Sequence, residues 1–233
     1  MLPFSLFNDI LSGYARNFKI NPNHVACKLL HDNHAEDQRL NRLTSSRKLS
    51  IDLEDESALI ARASHDPEAF GLLYQRYVDR IYRYLFSHVG EPAEAEDLTA
   101  QVFTAAWEGL ARYQERGEFS AWLFRIARNK ANDYHRGRRA HFSLDKSSDE
   151  RGSHHPGLRD LSAELEHAED LERLANLIDS LEAGQVELLR LRFAAHLTYA
   201  EMASLLGRTE AAIKMAVSRL LRQLKAGWEA GDE

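Results

Sequence analysis

The segment FSAWLFRIARNKANDYHRGRRA, residues 119–140, combines large aromatic side chains with a run of cations. Phe119, Trp122 and Phe124 stand in its first half, and five Arg or Lys residues stand in its last thirteen positions. Aromatic rings can stack on unpaired bases while cations follow the phosphate backbone, so the pattern suits single-stranded nucleic acid. The alternative interpretation makes Trp122 a core residue and the cations a solvated helix face.

The cationic character of this segment is local, because the chain of 233 residues has a formal net charge of −6. Such a balance argues against a protein that coats nucleic acid by bulk charge. The single cysteine, Cys27, excludes an internal disulfide. No apolar run approaches the roughly 20 residues that span a bilayer, and the first residues lack the features of a signal peptide. We therefore expect no direct membrane insertion and a cytoplasmic location.

The elements that must position this segment are helices. Few prolines and glycines, with abundant Ala, Leu, Glu and Arg, predict an all-α fold. Asp66 as N-cap and Pro67 at the first helical position mark a helix start, and apolar residues then recur every three or four positions over 70–85. Further helices are predicted over residues 94–113 and in the aromatic and basic segment. Together they make a small helical domain near residues 55–140.

The predicted helix at residues 94–111 is apolar on two sides. Leu98 and Val102 fall on one side, whereas Phe103 and Trp107 fall well around the helix. A helix of this kind is either deeply buried or shared between its own core and a partner. Both interpretations remain open from the pattern alone.

A second helical domain is predicted over residues 168–228. It follows a polar, acidic stretch at 141–167 that is poor in apolar residues and predicts a flexible linker. Thr198 and Glu201 form a Thr-x-x-Glu capping box, and Gly207 ends the short helix that this box opens. Two short helices joined by a turn containing Gly, the second with cationic residues, predict a helix-turn-helix.

The last predicted helix has one apolar stripe and one cationic face. The stripe consists of Ile213, Val217, Leu220 and Leu224. In a DNA major groove, the first residues of such a helix reach base edges and later cations meet phosphate. An ordinary amphipathic helix with a solvated cationic face is the alternative. The face opposite the stripe carries Ala211, Lys214, Met215, Ser218, Arg222 and Lys225.

These three features, in this order, resemble the bacterial sigma factors of RNA polymerase, specifically the small extracytoplasmic-function group. EAEDLTAQVFTAAW is similar to the family's polymerase-binding segment, and FSAWLFRIARNKANDYHR is similar to its promoter-melting and minus-ten recognition segment. LTYAEMASLLGRTEAAIKMAVSRLLRQL is similar to its minus-thirty-five helix-turn-helix. The resemblance spans about residues 55–228 and implies two small helical domains joined by a linker.

The resemblance also implies a function and partners. A member binds core RNA polymerase, delivers it to a promoter and captures flipped bases of the melted strand, with no catalytic residue and no cofactor of its own. Its partners are core RNA polymerase and promoter DNA, both as duplex and as melted single strand. Many members are held inactive by an anti-sigma factor, so the resemblance implies this kind of partner as well.

Carried over by position, the resemblance assigns three sets of residues. Contact with the clamp of the largest polymerase subunit falls to Asp97, Leu98, Gln101, Val102, Phe103 and Trp107. The residues that would bind the opened minus-ten strand are Trp122, Arg125, Asn129, Lys130, Asp133 and Arg136. Contact with the minus-thirty-five duplex falls to Arg208, Thr209, Glu210, Lys214 and Arg219. The chain departs from the commonest family pattern after Lys214, where Met215 and Ala216 replace a Ser-Arg pair.

Two other classes of function are alternatives to this one. An ordinary transcription regulator would bind duplex DNA without acting as a polymerase subunit, but a sensor domain does not need the aromatic and basic segment at 119–140. An enzyme is not expected, because the sequence has no phosphate-cradling Gly loop, no His-Glu-x-x-His and no Gly-x-Ser-x-Gly.

Residues 1–54 form an N-terminal extension to which the pattern assigns no role. Within it, four possible zinc ligands fall along one helical face: His24, Cys27, His31 and His34. They would spread over about 15 Å of helix, so at most two adjacent side chains could reach one ion. No metal site is therefore predicted.

Overall fold

The computed structural model describes residues 55–114, 118–144 and 168–230, and every regular element in these ranges is helical. The first domain contains α1 Glu56–Ala63, α2 Pro67–Val89, α3 Pro92–Leu110 and α4 Phe119–Leu144. The second contains α5 Ala168–Asp179, α6 Ala183–Leu189, a π-helical turn Arg190–Ala194, α7 Tyr199–Leu206 and α8 Glu210–Ala230. The predicted all-α fold, with two small domains and a helix-turn-helix in the second, is confirmed.

Capping groups set the helix boundaries as the sequence predicts. The Asp66 carboxylate accepts the backbone N–H of Glu68 at 2.9 Å at the start of α2. At the start of α7, Thr198 Oγ1 accepts the N–H of Glu201 at 3.2 Å, and the Glu201 carboxylate accepts the N–H of Thr198 at 2.6 Å. Gly207 has a φ of 65° and ends α7, so this helix is bounded by local chemistry at both ends.

The core of the first domain is built around α2, against which α1, α3 and α4 pack. Its predicted apolar stripe is Phe70, Leu73, Tyr77, Ile81 and Leu85, of which all but the partly buried Phe70 are buried. Val102 of α3 and Leu123 of α4 complete the same apolar core. Burial of this stripe positions α4, which carries the aromatic and basic segment, on one side of the domain.

The helices of the first domain differ from the prediction at both of its ends. Residues 56–63 form a separate short helix, and α4 continues past residue 140 to Leu144. Residues 145–167, most of the predicted linker, lie outside the described residues, as do residues 1–54. The four possible zinc ligands of that extension are therefore also outside them: His24, Cys27, His31 and His34.

The second domain is held by the predicted stripe of α8. All four of its residues, Ile213, Val217, Leu220 and Leu224, are buried, and α7 packs against them with the fully buried Met202. This packing turns the opposite face of α8 outward.

The two domains contact each other. α7 of the second domain packs on α4, and the π-helical turn packs on α2. None of the helices in the described ranges is both long and apolar enough to cross a membrane.

Candidate promoter and polymerase interfaces

The face of α8 opposite its buried stripe is open. The five residues assigned to the minus-thirty-five duplex all have exposed side chains: Arg208, Thr209, Glu210, Lys214 and Arg219. Thr209 also accepts the backbone N–H of Ala212 at 3.2 Å, so its hydroxyl caps α8. The structure therefore brings the predicted set together around the N-terminal half of one helix, which is the half that enters a major groove in this motif.

A shallow groove runs along the same face of α8. Its lining combines cations with small and apolar side chains: Ala211, Lys214, Met215, Ser218, Arg219 and Arg222. Met215 has 64% of its surface exposed. The face thus offers positive charge to a phosphate backbone and an apolar group between the charges.

Trp122 is held in an aromatic cluster at the start of α4. Its ring centroid lies 4.9 Å from that of Tyr113 and 5.4 Å from that of Phe119. A side chain at Gly109 would place its Cβ only 3.3 Å from the indole, so α3 and α4 approach closely here. Trp122 is nevertheless only partly buried. The core interpretation and the nucleic-acid interpretation of this ring are therefore compatible.

The other minus-ten candidates extend from Trp122 along α4. Arg125, Asn129, Asp133 and Arg136 follow at intervals of three or four residues, so they lie along one stripe of the helix, and all four are exposed. The carboxylate of Asp133 contacts the guanidinium of Arg136. Lys130 is partly buried and lies beside the stripe. One ring at the end of a polar stripe with two arginines is an arrangement that suits an unpaired strand.

The six residues assigned to polymerase binding divide into two groups. Asp97, Gln101 and Trp107 offer their side chains to solvent. The other three are buried in the core of the first domain, with exposed fractions of 5%, 0% and 2%: Leu98, Val102 and Phe103. Of this set, a partner docking on the folded domain reaches only the exposed group directly.

Phe103 and Trp107 explain why α3 is apolar on two sides. The Phe103 ring packs edge-on against Tyr74, with 4.6 Å between ring centroids. The Trp107 ring packs against Phe70 at 4.8 Å, yet 41% of its surface stays exposed. Within the described residues, Trp107 and Met215 are the two large hydrophobic side chains that are exposed. α3 is thus both a core helix and the carrier of one solvent-facing indole.

Comparison with protein families matches both domains. The Sigma-70 region 2 model matches residues 73–141, and the Sigma-70 region 4 model matches residues 171–224. The first match includes most of α4, with Trp122 and the polar stripe, and the second includes the helix-turn-helix.

Curated relatives agree with these matches. The ECF RNA polymerase sigma factor SigD of Mycobacterium tuberculosis is 30% identical over 191 residues, which are 78% of this chain and 88% of SigD. This chain belongs to the extracytoplasmic-function sigma factors. The ECF sigma factor BldN of Streptomyces coelicolor is 37% identical over 175 residues, 71% of this chain, although the match spans only 63% of BldN.

A solved structure supports the same assignment. The structure of CnrH in complex with the cytosolic domain of CnrY matches this sigma factor with a TM-score of 0.53 and 26% identity, over 74% of this chain and 96% of CnrH. As a sigma factor, the protein directs RNA polymerase to promoters and is a non-catalytic subunit of it. The rival interpretation as a regulator that works without polymerase is therefore not supported.

The contact between the domains of this sigma factor is a feature that the sequence did not reveal. Buried apolar side chains of both domains belong to one cluster. Beside them lies a group of charged and hydrogen-bonding side chains that we call the polar seam. Its members from the first domain are Arg80, Tyr84, Ser87, His88 and Arg128, and its members from the second are Glu187, Arg190, Ala195 and Glu201.

Glu187 is the centre of the polar seam. Its Oε1 accepts the Tyr84 hydroxyl at 2.8 Å and lies 3.3 Å from Nε of Arg128. Its Oε2 lies 3.3 Å from Nε2 of His88, without hydrogen-bond geometry. Burial opposes ionisation of Glu187, but the neighbouring His88, Tyr84 and Arg128 together hold its pKa below the ordinary value. The carboxylate is therefore an anion shared by two helices of the other domain.

Arg80 forms the second half of the polar seam. Its guanidinium donates to the Glu201 carboxylate at 2.9 Å and to the backbone carbonyl of Ala195 at 3.0 Å. Burial opposes ionisation of Glu201, but the Thr198 N–H and Arg80 lower its pKa. Glu201 thus serves the α7 capping box and the domain contact at the same time, which explains why the local pattern accounted for it without revealing the second role.

His88 is buried in the polar seam and uncharged at neutral pH. Burial is the main cause that lowers its pKa to about 4, and the positive charge of Arg190 acts in the same direction. The Arg190 guanidinium instead donates to the backbone carbonyl of Ser87 at 3.1 Å. Protonation of His88 would place a charge where burial disfavours it, so the closed contact depends on a neutral imidazole.

Proposed function

We propose that this sigma factor contacts its promoter through two separate surfaces. The exposed face of α8 meets the minus-thirty-five duplex, and the stripe from Trp122 to Arg136 on α4 handles the opened minus-ten strand. The observation that supports the division is the difference between the two faces. α8 presents cations around a groove without an aromatic ring, whereas the stripe on α4 starts at a half-buried indole.

The aromatic ring suits α4 to a melted strand. Extruding a base costs a few kcal/mol of lost stacking, and stacking on an aromatic side chain returns about 1–3 kcal/mol per base. Trp122 is braced by Tyr113 and Phe119, so ordering its ring on binding costs little entropy. Arg125 and Asn129, on the next turns, follow the backbone of the same strand.

We infer that α3 docks on the clamp of the largest polymerase subunit through Asp97, Gln101 and Trp107. Leu98, Val102 and Phe103 support this surface from the core and make no direct contact. An exposed indole that is packed on one side by Phe70 is a typical interface anchor, because burying its open side on a partner removes apolar surface from water.

The packed arrangement of the domains is proposed as a resting form. The names minus-thirty-five and minus-ten give positions relative to the transcription start, so the two elements are centred about 25 base pairs apart. This is roughly 85 Å along B-DNA. α4 is only about 39 Å long, and α7 sits directly on it. Domains in contact cannot reach both elements of an extended promoter, so the polar seam opens when the promoter is bound. The 145–167 segment, fully extended, would span at most about 80 Å.

A cytoplasmic location and an anti-sigma partner complete the proposal. RNA polymerase and promoter DNA are the partners of this function, so the protein works where they are. The complex of CnrH with the cytosolic domain of CnrY supports a second protein as a partner of this chain. Such a partner would inhibit by keeping the polar seam closed.

Abortive transcription tests the proposal directly. Core RNA polymerase is incubated with a mixed promoter library with and without the full chain. We expect new initiation sites only when the chain is present, with two shared upstream elements. A lack of new sites, together with sequence-specific duplex binding by the chain alone, would contradict it.

Two variants separate the proposed surfaces. Lys214→Ala with Arg219→Ala should weaken initiation on closed and on artificially pre-melted templates alike. Arg125→Ala with Asn129→Ala should weaken initiation on closed templates and recover on pre-melted ones. Arg62→Ala, which removes an exposed cation of α1 outside the proposed surfaces, is the matched control and should leave initiation unchanged. If both double variants respond alike to the pre-melted template, the division of labour between α4 and α8 is wrong.

A further inference from the structure

Met215 is an exposed apolar side chain that the proposed contacts of α8 leave without a role. With 64% of its surface exposed, it is far more open than the buried methionine of α7, Met202. The other large exposed hydrophobic of the described ranges, Trp107, lies on the proposed polymerase surface. Burying an exposed methionine against a partner removes apolar area from water, so its position shows where apolar contact would be gained.

The surroundings of Met215 favour nucleic acid as the partner. It lies in the second turn of α8, between Ala211 four residues before it and Ser218 three residues after it, along the floor of the groove. Lys214, Arg219 and Arg222 flank this row, and those three cations are exposed. An apolar docking site for a protein would not need this density of positive charge. A DNA duplex, in contrast, offers phosphates that the cations can bind and base edges that the side chains on the floor of the groove can contact.

We propose that Met215 is a specificity-determining residue that reads the 5-methyl group of a thymine in the minus-thirty-five duplex. The inference rests on the proposed function of α8. In the major groove, thymine is the base that presents a methyl group, and apolar side chains distinguish it by contact. The unbranched, polarizable side chain of methionine adapts to such a contact from a helix that is positioned by phosphate contacts.

The position of Met215 explains why its role is specificity and not general affinity. A cation that meets phosphate strengthens binding to every sequence, whereas a methyl contact strengthens binding only where the thymine is present. The serine of the commonest family pattern would offer a hydroxyl at this position, so the chain's own residue changes what the helix can recognise.

The first test selects promoters from a library that is randomised in the minus-thirty-five element. Holoenzymes are assembled from core polymerase and the full chain, either unchanged or as Met215→Ser or Met215→Leu. We expect a thymine preference at one or two adjacent positions for the unchanged chain and for Met215→Leu, and its loss at those positions for Met215→Ser. Preferences at the other positions should stay the same for all three.

The second test removes the methyl group alone. In the selected promoter, that thymine is replaced by uracil, which keeps the base-pairing edge and lacks the 5-methyl. Affinity of the unchanged holoenzyme should fall about fourfold, the value for one apolar methyl-sized group. Met215→Ser should be insensitive to the replacement. Uracil at a thymine outside the selected position is the control and should leave both affinities unchanged.

Each other outcome overturns the inference in a recognisable way. Equal sensitivity of both proteins to uracil would place the methyl contact on another residue. A uniform loss of affinity in Met215→Ser at all sequences would make Met215 a backbone contact. An unchanged promoter preference together with weaker assembly with core polymerase would make it part of a protein interface. The proposed function of α8 fails separately, if Lys214→Ala with Arg219→Ala leaves promoter binding intact.

Discussion

The interior of each domain is held by apolar packing, whereas the contact between the domains adds a network of ion pairs and hydrogen bonds. Inside the first domain, apolar side chains such as Val102 and Leu123 pack with almost no exposed surface, and the second domain is held in the same way by the stripe of α8. Between the domains, the polar seam relies on ion pairs and hydrogen bonds, most of them to Glu187 and Arg80.

This difference separates folding from domain movement. Apolar packing is lost only when a domain unfolds, because exposing it to water costs the full transfer free energy. Charged groups at a seam can exchange their partners for water, so their net contribution is small compared with their number. We therefore expect conditions that open the polar seam while both domains keep their helices.

The largest effect is expected from a change inside a domain. Phe103→Ala removes a ring that is 2% exposed and packed against Tyr74, so it should lower the free energy of unfolding of the first domain by about 3–5 kcal/mol. Trp107→Ala, four residues later, should cost much less, because 41% of that side chain is exposed. Denaturant unfolding followed by circular dichroism measures both. Equal losses for the two variants would contradict the division of α3 into core and surface sides.

A change in the polar seam should open the domains without unfolding them. Glu187→Gln removes the anion that Arg128 and His88 face, and it should favour domain separation by about 2–3 kcal/mol. This is less than the full cost of breaking a buried pair, because the side chain of Arg128 is 42% exposed.

Distances between dyes, one on each domain, measure this separation. The Glu187→Gln population should shift to longer distances while helical content and the unfolding midpoint of each domain stay unchanged. A loss of helical content that accompanies the longer distances would mean that the seam is part of one cooperative core.

Acidification is expected to open the polar seam by a somewhat smaller amount. The pKa of His88 is lowered to about 4 in the closed form, whereas an imidazole in water titrates near about 6.5. As pH falls below the higher value, the separated form binds a proton that the closed form excludes. The closed form therefore loses stability as pH falls towards 4, and at about 1.4 kcal/mol per pH unit the loss between pH 7 and pH 5 is about 2 kcal/mol.

The charged neighbours of His88 do not change this direction. The pKa of Glu187 is lowered, so its carboxylate stays ionised through the window, and Arg190 adds positive charge that disfavours the imidazolium. Tyr84 and His135 face it from the first domain with their rings, at 4.7 Å and 5.9 Å between centroids. The dye distance should lengthen between pH 7 and pH 5 in the unchanged chain and stay constant in His88→Gln. A response that persists in His88→Gln would assign the titration to another group.

Local chemistry made the helices predictable from the sequence. The caps at Asp66, Thr198 and Gly207 and the four-residue stripe of α8 act within one or two turns, and the structure shows each of them as predicted. The family resemblance then supplied the candidate functional residues, whose roles stay predictions. Periodicity could not show which apolar residues of α3 are buried and which are exposed, because the helix carries apolar residues on both of its sides. The structure shows that Leu98, Val102 and Phe103 are the buried ones.

The polar seam was not predictable in the same way. Its residues are polar members of amphipathic helices, and Arg80 and Glu201 are 121 positions apart, so no local period connects them. The sequence feature that could have indicated this contact lies at the end of α2, where Tyr84 and His88 add aromatic rings outside the main apolar stripe. Phe124 gave a similar signal, since it lies off the apolar arc of α4 and is fully buried against Tyr84. A helix whose rings extend beyond one face needs a second neighbour.

The smallest effect is expected for an ion pair outside the polar seam. Lys225 Nζ lies 3.6 Å from Glu229 Oε1 on α8, and these side chains are 45% and 53% exposed. Glu229→Gln should therefore change the free energy of unfolding by less than about 0.5 kcal/mol and leave the dye distance unchanged. It is the matched control for Glu187→Gln, because both changes remove one carboxylate charge from the second domain. If the two variants shifted the dye distance equally, net charge of the domain would control the opening, and the specific contacts of Glu187 would not.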